Sequence, residues 1–381
     1  MFGSDEDKPT PFLPPAVTPV KALTESEGIV RVLAREGALS PDDRWVKRFT
    51  QETDCQVEVT EYADSADFEN RTKPVVDPAT EQADGSTEGD ANAASASRVL
   101  DADLVMVPGE FALDLVGAGT VAPINLDLLP AADGLVASLQ TPPWSSWNDI
   151  DYGLAVGRGY YAVAGGATSL AEVFAPGSNP NLPNTPTMLG AAGLVLVQPV
   201  ATTTDGESDQ DPITDPFALD SDQLATVQGL ATASGPVPLT PAGSEGGGPT
   251  LAPSAELPEG EPPSDGVLGW SDSWMVPTEP AHPTCAYRLL DAALGPQVNL
   301  AMAQALGVAP SVAAACPEDA SGFCATSRAG DEDFWSDVVF VISPLQQCLD
   351  GREDVRCADS ADFATAWTAA LTGQGDGPAG T

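Results

Sequence analysis

The chain has 381 residues, 56 of them acidic and 15 basic, for a formal net charge of −41. Such a field repels nucleic acid and anionic membranes, which excludes binders of either. The length allows two or three domain-sized units, 42% hydrophobic residues suffice for real cores, and no apolar run approaches the roughly 18 residues that span a bilayer.

The first ten residues, MFGSDEDKPT, are too charged for a signal peptide. Either the protein is not exported, or an export signal has been removed ahead of this start. Residues 1–28 are rich in Pro, Glu, Asp and Thr without periodicity and read as a disordered tail or tether. IVRVLA (29–34) is a buried-strand pattern. Ser40-Pro41-Asp42-Asp43 offers an N-cap, a proline at N1 and an acid at N3, and Trp45, Val46 and Phe49 give the helix that follows one apolar face. CQVEVTEY (55–62) alternates as a strand, and a short helix starts near Ser65. Residues 78–97 are a polar, low-complexity loop.

VLDADLVMVP (99–108) predicts a strand and EFALDLVGAG (110–119) a helix ending at glycine. YGLAVG (152–157) and YYAVAG (160–165) predict two adjacent strands, and TSLAEVF (168–174) a helix capped by Thr or Ser. MLGAAGLVLVQ (188–198) fits helix or strand, 202–215 is an acidic loop, and 221–233 is helical. Residues 234–266, rich in Pro, Gly, Ser and Glu, are either disordered or a lid. VLGWSDSWMV (267–276) returns to strand, and helices follow over 283–306, about 331–343, and 360–372 ending at Gly373; 374–381 is a tail. Strands alternating with helices make the fold class α/β on mostly parallel sheets.

Four lysines in 381 residues, against so many carboxylates, indicate salt adaptation or a GC-rich source. Six cysteines allow 15 pairings. Cys316 with Cys324 and Cys348 with Cys357 would each close a short loop, which leaves Cys55 with Cys285. An even count with no CxxC and a single histidine points to disulfides and an oxidising compartment; the other reading is buried thiols in the cytosol.

Enzyme templates fail. There is no GxSxG, and His282 reads as a helix-start residue beside a disulfide. GSEGGGPT (243–250) lacks the lysine of a phosphate loop and is a linker; Gly157-Arg158-Gly159 is too short for a dinucleotide fingerprint; Asn70-Arg71-Thr72 is a chance sequon. No cofactor or metal is expected. One segment differs from the rest. In Trp270-Ser271-Asp272-Ser273-Trp274, positions 270, 272 and 274 share one face of a strand, and an Asp between aromatic rings offers a cation both charge and π face. Two core tryptophans around an incidental exposed Asp is the other reading.

GWSDSWMV, AHPTCAYRLLDAALGPQVNLAMAQALGVAPS (281–311), CPEDASGFC (316–324), SPLQQCLDGREDVRC (343–357) and ADFATAWTAALTG (361–373) together resemble the C-terminal third of actinobacterial spermidine/putrescine-type extracellular solute-binding proteins of ABC transporters. VLAREGALSPDDRWVKRFTQETDCQVEV, DADLVMVP, AGTVAPINLDLLP and YGLAVGRG continue the likeness. It covers 29–175 and 267–373, and 176–266 looks shortened.

The resemblance implies a two-lobe, periplasmic-binding-protein-like (type II) α/β fold with the ligand in an interlobe cleft. Lobe 1 would hold 29–157 and 267–308, lobe 2 158–266 and 309–373, with crossings near Val156-Gly157 and Gly269–Trp274. Cys55 and Cys285 then share a lobe, which supports their pairing. Trp270 and Asp272 match the family's Trp-x-Asp, where the Asp pairs with a ligand ammonium and the Trp stacks on its alkyl chain. Elsewhere the chain departs. Arg35, Gly37 and Ala38 stand where the family has an aromatic and Gly-Tyr, with Glu36 between them, and Gly109 and Phe111 where it has a hydroxyl residue and, two later, a tyrosine, with Glu110 between. Glu36 and Glu110 join the candidate ligand contacts. Arg35 at the cleft mouth would repel a diamine, at about 4 kcal/mol for like charges about 4 Å apart in a medium of dielectric about 20. Arg35 and Arg158 hint instead at a carboxylate on the ligand.

Three functional readings follow. The protein is a solute receptor with a changed ligand, a polyamine binder relying on its acidic field with Trp270 and Asp272, or a surface protein that has lost its ligand. The partners implied are an ABC permease and a small cationic or zwitterionic solute. The protein would be monomeric, extracellular, and held to the membrane only by an N-terminal lipid anchor.

Overall fold

The computed structural model describes residues 9–73, 100–197, 215–239, 248–257, 259–317 and 321–373. The expected loop over 78–97, all but the last residue of that over 202–215, and the tail over 374–381 lie outside these residues.

In chain order the first eight strands are β1 (Ile29–Arg35), β2 (Gln56–Tyr62), β3 (Leu104–Pro108), β4 (Val121–Ala122), β5 (Ser146–Trp147), β6 (Ile150–Asp151), β7 (Gly153–Ala155) and β8 (Gly157–Ala164). They are followed by β9 (Asn181–Leu182), β10 (Val237–Pro238), β11 (Thr250–Pro253), β12 (Val267–Trp270), β13 (Asp272–Pro277), β14 (Ala309–Pro310) and β15 (Val338–Phe340). One sheet has the order β2-β1-β3-β13-β4, with β7 also on β13; a second has the order β10-β9-β11-β8-β12-β15, with β14 on β8; β5 and β6 form a separate ribbon.

The helices are α1 (Arg44–Thr53), α2 (Ser65–Thr72), α3 (Gly109–Gly117), α4 (Leu170–Val173), α5 (Met188–Val197), α6 (Ser221–Ser234), α7 (Pro283–Ala293), α8 (Pro296–Leu306), α9 (Phe323–Thr326), α10 (Glu332–Ser336) and α11 (Ser360–Thr372). Period-2 alternation sends Leu104 and Met106 of β3 to a core with α1 and α7, and Val105 and Val107 to a second core with Phe68 of α2 and Leu115 of α3. The second sheet buries Tyr161 and Val163 of β8 beneath Leu189 of α5, Val227 of α6 and Phe363 of α11. Each sheet is therefore a separate α/β lobe.

The lobes are joined by very short crossings. β7 passes into β8 through Val156 alone, and β12 into β13 through Ser271 alone. The crossings are tied to each other: Ser271 Oγ donates to the Gly157 carbonyl at 2.6 Å, and Val156 N–H to the Asp272 carbonyl at 2.9 Å. The buried Asn299 of α8 donates to the Val156 carbonyl at 3.0 Å and accepts from Val312 N–H at 3.1 Å, which ties the chain just past β14 to the same point.

Several expectations need correction. The two strands around residues 152–165 are not neighbours but lie in different sheets. Trp270 and Trp274 do not share a strand, because the extended run breaks at Ser271: Trp270 ends β12, while Trp274 sits in the first lobe's core. α1 starts at Arg44, and Asp43 turns its carboxylate back to Ser40 N–H at 3.1 Å. Of the 188–198 segment, Met188–Val197 is helix.

Of the expected tether, residues 9–28 lie along the body. Phe12 N–H donates to Gln347 at 2.8 Å, and its ring meets Trp147 edge-on at 4.6 Å. Within 234–266, residues 250–253 form β11, paired with β8 in the second sheet. The three disulfides are Cys55–Cys285, Cys316–Cys324 and Cys348–Cys357.

Candidate functional site

A cleft of about 1490 Å³ runs between the lobes, lined by Arg35, Glu36, Gly109, Glu110, Trp270 and Asp272 among others. β1 delivers Arg35 at its C-terminal end, the β3–α3 junction delivers Gly109 and Glu110, and the Ser271 crossing places Trp270 and Asp272 on either side of the pivot.

At its centre Arg35 and Asp272 form a two-point ion pair. Nε donates to Oδ2 at 2.6 Å and Nη2 to Oδ1 at 3.0 Å. The Asp272 side chain is 2% exposed and that of Arg35 is 19% exposed. The guanidinium carbon lies 5.3 Å from the Tyr62 ring and 5.5 Å from the Trp270 ring, so the cation is set between two π faces. Burial by itself would lower the Arg35 guanidinium, but the Asp272 carboxylate overrides it and holds the group above its ordinary value.

Trp270 lies against the backbone of β8. It is the register partner of Gly159, and its indole Nε1 is buried there without a hydrogen-bond partner. Gly109 is glycine for want of room, since a methyl there would sit 3.0 Å from the Ser271 carbonyl and 3.1 Å from that of Val341. Glu110, in the first turn of α3, accepts from Thr187 Oγ1 at 2.8 Å and from Thr185 Oγ1, so it clasps the far lobe across one flank of the cleft.

The remaining predicted residues lie elsewhere. Phe111 stacks on Phe68 at 5.5 Å in the core. Arg158 does not face the cleft. It is 1% exposed, donates to Ser138 at 2.9 Å and to the Ala329 carbonyl at 3.3 Å, pairs with Glu332, and packs 4.6 Å above the Trp335 ring. His282 begins α7, its ring Nδ1 2.9 Å from Asp103.

Sequence reasoning missed Tyr160, Tyr161, Thr185 and Glu256, which also line the cleft. The buried Tyr161 phenol is pushed well above its usual range, first by burial and then by the field of Glu110, and it also senses Arg35, Asp272 and Glu256. Burial likewise raises the Glu256 carboxyl against the pull of Arg35. Glu256 makes no hydrogen bond or ion pair among the described residues. Among the described residues there is no cluster fit for a metal ion, and no helix is long and apolar enough to cross a membrane.

No family model matches the sequence. Solved structures do match. A spermidine/putrescine ABC transporter protein of Listeria monocytogenes aligns with a TM-score of 0.62 at 12% identity, over 90% of this chain and 99% of that one. The spermidine/putrescine substrate-binding protein PotD of Streptococcus pneumoniae gives 0.59 at 11%, over 91% and 100%. The TpPotD lipoprotein of Treponema pallidum gives 0.59 at 14%, over 90% and 99%. At this identity the likeness is one of architecture, and this chain has the two-lobed type II fold of ABC-transporter substrate-binding proteins.

Proposed function

We propose that the protein is the extracellular substrate-binding component of an ABC transporter, a receptor rather than an enzyme, which captures a small cationic or zwitterionic solute and hands it to a membrane permease. The lobe division proposed is 29–157 with 267–308 and 158–266 with 309–373. The observation that carries the reading is the cleft lining, where one guanidinium is outnumbered by the carboxylates of Glu36, Asp64, Glu110, Glu256 and Asp272, and Trp270, Tyr160 and Tyr161 add aromatic surface. Acid with aromatic surface is the chemistry that holds an organic cation.

The cleft volume exceeds the roughly 300–1,000 Å³ typical of a small-molecule pocket. That excess suits lobes that close about the two single-residue crossings. A surface protein that had lost its ligand is disfavoured, because the shortened 176–266 stretch still supplies β9, β11, α5 and α6 to the second lobe.

The test is a thermal-shift and calorimetric screen in high salt, covering polyamines, monoamines, amino acids and acidic controls. A ligand at a hundred times its Kd stabilises by about 2.7 kcal/mol. A shift by at least one amine-bearing solute is the expected result. No shift by any of them in folded protein overturns the reading.

A further inference from the structure

The cleft's most protected carboxylate is already neutralised. Asp272 is almost wholly buried, both its oxygens accept from Arg35, and that guanidinium lies between the rings of Tyr62 and Trp270. A carboxylate walled by aromatic rings is a seat for a cation, and here the seat is taken by the protein's own side chain. An incoming ammonium can reach Asp272 only by displacing Arg35 from both of its hydrogen bonds, which exchanges one cation for another and forfeits a two-point ion pair.

What stays available is different in kind. Arg35 Nη1 makes no hydrogen bond among the described residues and belongs to a side chain partly open to the cleft, so it can donate to a ligand oxygen. Glu256, exposed in the same cleft lining and without a hydrogen-bond or ion-pair partner among the described residues, can receive one ammonium.

We infer that Arg35 is a built-in cation that closes the Asp272 seat to ligand amines, so that the cleft selects a solute with one ammonium, held by Glu256, and one oxygen acceptor, held by Arg35 Nη1, over a diamine of the same length. The inference rests on the binding-protein reading of this cleft and adds the substrate class.

Putrescine and 4-aminobutyrate are matched probes, four-carbon chains that differ only in whether the second end is an ammonium or a carboxylate. Isothermal titration of the wild-type protein should give 4-aminobutyrate at least a tenfold lower Kd than putrescine. Arg35→Ala should invert the order, putrescine gaining at least tenfold as its ammonium fills the vacated seat, and putrescine should raise the melting temperature of that variant. Should Arg35→Ala not fold, Arg35→Lys keeps a cation at the seat and should still exclude putrescine, while Glu256→Gln should weaken 4-aminobutyrate at least tenfold. Putrescine binding the wild type more tightly than 4-aminobutyrate, with no gain in Arg35→Ala, overturns the inference but leaves the receptor reading standing. Silence from every solute in the wider screen overturns both.

Discussion

The indole of Trp270 occupies the space that any side chain at residue 159 would need: a methyl on Gly159 would sit 2.6 Å from both Nε1 and Cε2 of the ring. Gly159→Ala should therefore push Trp270 off β8 into the cleft. Overpacking of this kind costs about 1–3 kcal/mol. The expected result is a modest fall in Tm with a disproportionate loss of ligand affinity and a shifted tryptophan emission. An unchanged emission spectrum would show that the ring does not rest on residue 159.

Arg158 provides the opposite case. The ion pair with Glu332 and the bond to the Ala329 carbonyl fasten 329–332 to β8, and the bond to Ser138 adds the 137–139 turn, all away from the proposed ligand site. Glu332→Ala strands a buried guanidinium and should cost about 2–3 kcal/mol, below the figure for a fully buried pair because the Glu332 side chain is 54% exposed. Ligand Kd should stay within about twofold, since each tenfold step corresponds to about 1.4 kcal/mol of binding and none is spent here. Chemical denaturation and calorimetry on one preparation read both quantities.

Glu27 caps α7 from a distant part of the chain, accepting from Thr284 N–H and Cys285 N–H at 2.9 Å each. Burial opposes ionisation, but these amides prevail and hold the carboxyl below its usual range. A depressed folded-state value means that the stabilisation is complete above the unfolded value of about 4.3 and is lost as pH falls through the folded value. Glu27→Gln should cost about 1–2 kcal/mol at neutral pH, and the gap to wild type should shrink in strong acid. A gap independent of pH would mean that the cap acts by shape alone.

The Cys55–Cys285 bridge joins residues 230 apart in sequence, tying the end of α1 to the start of α7. The double Cys→Ala variant should lose about 3–5 kcal/mol, whereas removing Cys316–Cys324, which spans 8 residues, should cost less. Equal losses would contradict the loop-closure account.

Local signals were legible. The α11 end at Gly373 shows a left-handed backbone with φ 66°, as its sequence predicts, and Ser169 accepts from Glu172 N–H at 3.2 Å as the cap of α4. Short spacing singled out Cys316–Cys324 and Cys348–Cys357, while the pairing of Cys55 with Cys285 drew its support from the resemblance that puts both in one lobe; the structure forms all three. β11 was hidden because four residues between prolines and glycines carry no period, and what makes them a strand is β8, about 90 positions earlier in the chain. The site divides the same way. Trp270 and Asp272 announce themselves as an aromatic–acid pair, whereas Tyr161 and Glu256 belong to elements that only the folded chain brings together. Arg35 was legible as a cleft residue, but its partner, 237 positions away, was not.

Ser271 is the single residue between the tryptophan that ends one lobe's sheet and the aspartate that begins the other's, and its hydroxyl grips the neighbouring crossing. The proposed axle and the Arg35–Asp272 ion pair are thus one residue apart. Points on an axle travel least when a wheel turns, so closure of the lobes about this point would leave Trp270 and Asp272 at their spacing, while Glu36 and Glu256 on the rims would swing through the larger arcs.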